Sequence, residues 1–241
     1  MEHIAPGPRQ RLGLMSHEIF AAETFVGNFS KSKAWSLLEI VSVSTGVPLS
    51  QALPVRTFAH HSRYVYASEL QKKHNDQFSR FPDLDELAVQ VNSMKAKFDV
   101  AFVDPWHEIE DSFQIIEMAF AHLHAGATMV MHDCHPRDAQ LRSTSVPANL
   151  QQAWSGSTWA AWSLLTQSLS SRFSWMTIDA DFGIGVLKIP ETKSQRRQLL
   201  RIMRSLLKQQ ASGNLPEIEW SADAEHLHLV APNDPQVAAW T

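Results

Sequence analysis

Two short apolar runs bracket a helical repeat in the middle of the chain. Asp99 to Val103 and Ala127 to Met131 have the length and composition of strands covered on both faces. Between them Ile109, Phe113, Ile116, Phe120 and Leu123 recur at helical spacing, Glu108, Glu110 and Asp111 put negative charge on the first turn, and Gly126 supplies the break. Connections this short leave no room for a hairpin, so the pattern predicts a right-handed parallel crossover, with Asp104 and Asp133 ending neighbouring strands. Elsewhere the pattern predicts a helix from Leu84 to Lys97 and apolar strands from Ser174 to Ile178 and Gly185 to Ile189, joined by a turn from Asp179 to Gly185. Ser16 can cap a helix from His17 towards Asn28, and Glu217 to Val230 reads as a short appended hairpin. The fold class expected is α/β, a single domain with a mainly parallel sheet, an antiparallel last strand and helices on both faces.

From Glu191 to Gln210 the apolar positions Leu199, Leu200, Ile202, Met203, Leu206 and Leu207 alternate with Lys193, Arg196, Arg197, Arg201, Arg204 and Lys208. This is an amphipathic basic helix. It either packs one stripe on the domain with a solvated cationic face, or meets a partner helix or an acidic surface.

Length narrows the organisation further. The 241 residues suit one well-buried domain, expected at 16–210, with a Pro-, Gly- and Arg-containing arm at 1–15 and an extension at 211–241. A formal net charge of -4 argues against a general nucleic-acid binder. Cys134 is the single cysteine, so no intrachain disulfide forms. No signal peptide is recognised, and no apolar run approaches the roughly 18 residues of a membrane span, which makes the cytoplasm the expected setting.

In open α/β sheets ligands bind beyond the carboxyl ends of the strands, where Asp104, His107, His132 and Asp133 fall. His107, His132 and His135 are candidate general bases, because imidazole titrates near neutral pH. Asp104 and Asp133 could share one Mg²⁺ or Mn²⁺, a hard cation suited to oxygen ligands. Alternatively, Asp104 caps the helix starting near Ile109 and Asp133 binds loop amides. A zinc site at His132, Cys134 and His135 lacks a second ligand cluster. Trp154, Trp159 and Trp162 either line an acceptor pocket or belong to the core. Asp179 and Asp181 serve the turn or reach the site.

The segments VDPWHEIEDS and VMHDCHP, with WSGSTWAAW and IDADFGIGVLKI downstream, resemble class I S-adenosylmethionine-dependent methyltransferases. The similarity is to the catechol-methyltransferase-like branch, whose relatives are associated with glycan and natural-product genes, and it covers roughly Leu37 to Ile189. It implies a Rossmann-like domain, S-adenosylmethionine as cofactor, a divalent cation such as Mg²⁺ at Asp104 and Asp133, and methylation of a hydroxyl on a small-molecule or sugar acceptor. It also assigns cofactor contacts to Glu39, Ser42, Gly46 and Asp104, and to Glu69 as an acid placed for the ribose hydroxyls. The match departs from the family at the first turn: the glycine normally found just after Ile40 is absent, and the turn is one residue longer. No extra strand is read between Glu69 and Phe98, where the family has one.

The function expected is therefore S-adenosylmethionine-dependent O-methylation. One alternative is a degenerate, non-catalytic relative kept as a binding or scaffolding partner, which the altered turn favours. Another is a metal-dependent hydrolase built on Asp104, His107, His132 and Asp133. Homo-oligomerisation is compatible with the chain.

Overall fold

Strand residues that alternate in sequence are buried on opposite sides of one sheet. In the first strand Leu38 and Ile40 join one core while Leu37 and Val41 join another, and Ala101 and Val100 divide in the same way. That two-sided burial is why these segments read as continuous apolar runs. A fully buried Leu, Val or Phe contributes roughly 1.5–3 kcal/mol, so the two cores favour this layering strongly.

The computed structural model describes residues 22–29, 35–43, 58–74, 81–145, 154–222 and 224–241. Its strands are β1 (Ser36–Ser42), β2 (His60–Tyr66), β3 (Phe98–Asp104), β4 (Leu123–Met131), β5 (Trp175–Ile178), β6 (Ile184–Lys188) and β7 (Leu229–Val230). They lie in the order β2-β1-β3-β4-β6-β5-β7. Every pairing is parallel except those of β6, which runs antiparallel to both β4 and β5. The helices are α1 (Ala22–Phe29), α2 (Glu69–His74), α3 (Leu84–Ser93), α4 (Ile109–Ala121), α5 (Thr158–Gln167), α6 (Lys193–Ala211) and α7 (Pro235–Ala238). α3, α4, α5 and α6 pack on one face, and α1 and α7 on the other. The molecule is a Rossmann-like α/β sheet with helices on both sides, as the sequence predicts.

Several boundaries differ from expectation for local reasons. α3 starts on a capping box, in which Asp83 accepts from the Glu86 amide and Glu86 accepts from the Asp83 amide. It ends at Ser93 rather than Lys97, because Met94 turns to extended backbone. α4 stops at Ala121, before Gly126. His122 caps it, and Gly126 instead sits inside β4 at φ +75°, where the register to β3 shifts between Phe98 and Val100. The cap of α4 is Glu108, not Asp104.

The predicted hairpin at Glu217 to Val230 does not form. A 3₁₀ turn at Glu225–Leu227 and a left-handed His228 (φ +48°) redirect the chain, so that Leu229 and Val230 extend the sheet parallel to β5. As expected, the described residues hold no strand between β2 and β3. The predicted helix start near Ser16 lies outside the described residues. No helix among the described residues is long and apolar enough to cross a membrane.

Candidate functional site

β1 and β3 are neighbours whose onward connections leave in opposite directions along the sheet, so the topological switch point lies between their carboxyl ends. Asp104 is the last residue of β3 and is buried against this crevice. The loop after it is fixed from β2. Tyr66, fully buried, accepts a hydrogen bond from the Trp106 amide at 2.7 Å and donates to Asp111 in the first turn of α4 at 3.1 Å. Trp106 is thereby held in place, with His107 stacked on it at an interplanar angle of 8° and Trp154 edge-on to both rings.

His107 Nε2 lies 2.9 Å from Asp133 Oδ2, and its Nδ1 is buried without a hydrogen-bond partner. Asp133 follows β4 with φ +60°, a conformation that Asp tolerates better than most residues, and its Oδ1 accepts from Ser155 Oγ at 2.7 Å. His132 extends the ladder by donating its amide to the Val103 carbonyl. Its Nδ1 stands 3.4 Å from both Asp104 Oδ1 and Asp133 Oδ2, and its Nε2 3.3 Å from Asp181 Oδ2. Asp181 also accepts the Ala22 amide at 3.0 Å, tying the start of α1 to the same cluster.

The β5–β6 turn holds this arrangement. Asp181, Phe182 and Gly183 are consecutive left-handed residues, and their carbonyls at Phe182 and Gly183 accept the His135 and Cys134 amides at 2.8 and 2.9 Å. Backbone in this region is costly for side-chain-bearing residues and persists where surrounding contacts over-determine it.

Among solved structures the chain is similar to O-methyltransferases. One is the O-methyltransferase TomG from Streptomyces achromogenes in complex with SAM, at 11% identity over 70% of this chain and 79% of that one, with a TM-score of 0.41. Another is an O-methyltransferase from Bacillus cereus in complex with SAH, at 13% identity over 70% of this chain and 80% of that one, with a TM-score of 0.42. No protein-family model and no curated protein matches the chain. These likenesses are distant, at 13% identity or less.

Burial and charge act in opposite directions within the cluster. Burial drives the His132 ring towards neutrality, but Asp133, Asp104 and Asp181 outweigh it and raise its pKa well above the usual value. Burial likewise pushes the Asp133 carboxyl up, yet His132 and His107 hold it well below the ordinary carboxylate range. Asp104 is raised, chiefly by burial, with His132 opposing and Asp133 adding to the shift. Among the described residues, Asp104, His107 and Asp133 are the group able to offer metal-ligand atoms together, all within 4.8 Å of one another. Two carboxylates and an imidazole are a fitting set for a divalent ion.

The structure thus brings together Asp104, His107, His132 and Asp133, and gives Glu39 and Ser42 partners outside this group. Glu39 is fully buried in β1, 3.0 Å from His61 Nε2 and 3.6 Å from Arg63 Nε. Ser42, at the end of β1, accepts from Gln71 Nε2 at 2.8 Å, and Gln71 in turn forms a reciprocal cap with Ser68. Glu69 opens α2, and Gly46 lies outside the described residues.

His135 turns away, donating to the Ser221 carbonyl and stacking on Trp220. Of the tryptophans, Trp154 faces His107, Trp162 is core with its indole N–H on Thr177, and Trp159 is half-buried. Cys134 is buried, and burial pushes its thiol pKa up. Asp181, for which the sequence left a turn role and a site role open, reaches the site, and Ser155 and Tyr66 join it without having been singled out for it. The Ser-Gly pair was a visible signal for Ser155, whereas Tyr66 looks like any strand aromatic.

Asp111 yields a direct prediction. Burial, reinforced by Glu108, raises its pKa from 3.8 to about 7, against the lowering effect of the Tyr66 hydrogen bond. A carboxyl raised by folding favours the folded state below its unfolded pKa and loses that contribution as pH climbs towards 7. Asp111→Asn keeps an acceptor for Tyr66 and removes the titration. The variant is expected to be about 4 kcal/mol more stable than wild type at pH 8 and nearly indistinguishable near pH 4. Urea unfolding at both pH values checks this, and parallel pH profiles for the two proteins would refute it.

Proposed function

We propose that the protein is an S-adenosylmethionine-dependent methyltransferase acting on a hydroxyl of a small molecule or sugar. The observation that carries this reading is the group of buried Asp104 and Asp133 with half-buried His107 at the carboxyl ends of β3 and β4, beside the switch-point crevice. Three carboxyl groups surround one imidazolium there, so the local field suits a cationic ligand such as a sulfonium.

Methyl transfer needs an aligned nucleophile and removal of its proton. The cofactor would supply an electrophilic methyl group. In this reading His107 takes the hydroxyl proton at Nδ1, Asp133 orients and stabilises the resulting imidazolium through Nε2, and Ser155 fixes Asp133. His132 then acts as a fixed positive charge between the acids, because a ring held protonated is a poor base. Trp106 and Trp154 wall the His107 ring.

The metal-ligand spacing favours a second version of the same reaction. Asp104, His107 and Asp133 would hold a divalent cation, which would polarise the acceptor hydroxyl as a Lewis acid.

Isothermal titration with S-adenosylmethionine and S-adenosylhomocysteine, with and without Mg²⁺, tests the proposal. Micromolar binding is expected, and once an acceptor is found, Asp104→Asn is expected to lower kcat by about 100-fold (about 2.7 kcal/mol) while leaving the fold intact. An absence of binding under every condition would overturn the proposal in favour of a non-catalytic relative. Hydrolysis without any methyl donor would favour the hydrolase instead.

A further inference from the structure

α6 carries six cations and no acid along 19 residues. Its apolar stripe, Leu199, Met203 and Leu206, is buried in the domain core, and Arg196 is spent inward, donating to the Leu123 carbonyl and lying over the Phe120 ring. The other five cations, Lys193, Arg197, Arg201, Arg204 and Lys208, are all exposed. At 100° per residue they fall within an arc of about 80°, spread over about 22 Å of helix. Ser194, Ser205 and Ala211 complete the exposed face. Arg204 is ion-paired to Glu117, whereas among the described residues Lys193, Arg197, Arg201 and Lys208 have no acidic partner.

This placement works against the helix itself. Lys193 with Arg197, Arg197 with Arg201, and Arg204 with Lys208 are like-charge pairs at i,i+4, which destabilise a helix. Lys193 and Arg196 stand in the first turn, where the macrodipole disfavours positive charge, and no acid is there to offset them. A face retained only for solubility would normally mix both signs and gain from i,i+4 pairs. The net charge of the whole chain is -4, so the stripe is a local concentration and not a consequence of a basic composition.

We infer that the exposed face of α6 is a docking surface for an anionic lipid bilayer. The exposed arc contains no aromatic residue on which bases could stack and no apolar anchor of the sort that centres a protein interface. What it offers is diffuse positive charge in a straight line, which a plane of headgroup charges engages at every position at once. The apolar stripe is committed to the domain core, so attachment is electrostatic and peripheral, and it depends on ionic strength. This surface lies apart from the Asp104 cluster and stands whatever reaction that cluster performs.

Co-sedimentation of the full chain with vesicles of phosphatidylcholine containing 30% phosphatidylserine tests the inference, with pure phosphatidylcholine vesicles as reference. Binding to the anionic vesicles alone is expected, lost in 0.5 M NaCl. Arg197→Gln with Arg201→Gln is expected to weaken it roughly 25-fold, or about fivefold per cation removed. Arg197→Lys with Arg201→Lys is expected to keep it. The unfolding midpoint of the lysine variant should match wild type, and that of the glutamine variant should be no lower, because neither side chain has a partner to lose and the Gln pair relieves like-charge repulsion. No sedimentation with anionic vesicles, or equal binding by the glutamine variant, would overturn the inference. Retention by a DNA duplex with no binding to vesicles would overturn it in favour of a nucleic-acid surface.

Discussion

Replacing Asp133 by Ala is expected to destabilise the protein by about 3–5 kcal/mol, the range for removing one partner of a buried charge network. Three groups depend on this side chain: His107 Nε2 at 2.9 Å, His132 Nδ1 at 3.4 Å and Ser155 Oγ at 2.7 Å. His132 remains buried with less negative charge to offset it, and the Ser155 hydroxyl loses its acceptor. Asp133 also sits at φ +60°, where Ala is less at ease than Asp or Asn. Asp133→Asn separates the contributions, since it keeps the Ser155 acceptor and suits the backbone while removing the charge.

The pH dependence has a definite sign. Folding depresses the Asp133 pKa, so its contribution is full above the unfolded carboxylate range near pH 4 and is lost as pH falls through the folded value. Wild type and Asp133→Ala should therefore converge on acidification below pH 4. Guanidinium unfolding from pH 7 down to pH 3 measures this, and a loss under 1 kcal/mol at pH 7 would show that the cluster does not act as a unit. In the functional reading the Asn variant should still fold yet lose most activity, because the His107 ring loses the carboxylate that orients it.

A comparable loss, about 3 kcal/mol or more, is expected for Gly183→Ala. Gly183 has φ +88°, and an added Cβ would stand 2.1 Å from the His135 amide nitrogen. That neighbour is backbone, so the β5–β6 turn must move away from the loop after β4. The movement breaks the hydrogen bonds from Cys134 to the Gly183 carbonyl and from His135 to the Phe182 carbonyl. Each is worth about 1 kcal/mol, and the left-handed backbone adds a further 1–2 kcal/mol for a residue with a Cβ. Asp181 moves with the turn, so His132 loses its Nε2 partner and α1 loses its tie to the cluster. Thermal unfolding measures the stability loss. A crystal structure of the variant with the 180–183 turn unmoved would refute the account.

The α4 crossover was legible because its signals are local. Apolar runs of strand length around a 3.6-residue repeat specify strand, helix, strand whatever surrounds them, and chirality then sets Asp104 and Asp133 side by side. The β5–β6 hairpin was legible for the same reason, since its Asp-x-Asp-x-Gly turn joins two apolar strands directly. The hairpin expected at Glu217 to Val230 failed, because the residues that win there are distant. Trp175 stacks on His228 and donates its indole N–H to the His226 carbonyl, holding the extension against β5.

The sequence by itself determined β3, α4, β4, the β5–β6 hairpin, the basic helix α6 and the four polar residues after β3 and β4, because periodicity and strand-end position are properties of neighbouring residues. Tertiary structure alone decided what surrounds those four. Tyr66 reaches Asp111 across 45 residues, Ser155 reaches Asp133 across 22, and the Ala22 amide reaches Asp181 across 159. No spacing rule encodes such contacts. They arise when separately formed strands and turns are packed against a shared core, where each buried polar group must find a partner. The state of His132 follows from the same cause: carboxyl groups from the end of β3, the loop after β4 and the β5–β6 turn converge on one ring, and their combined field holds its proton.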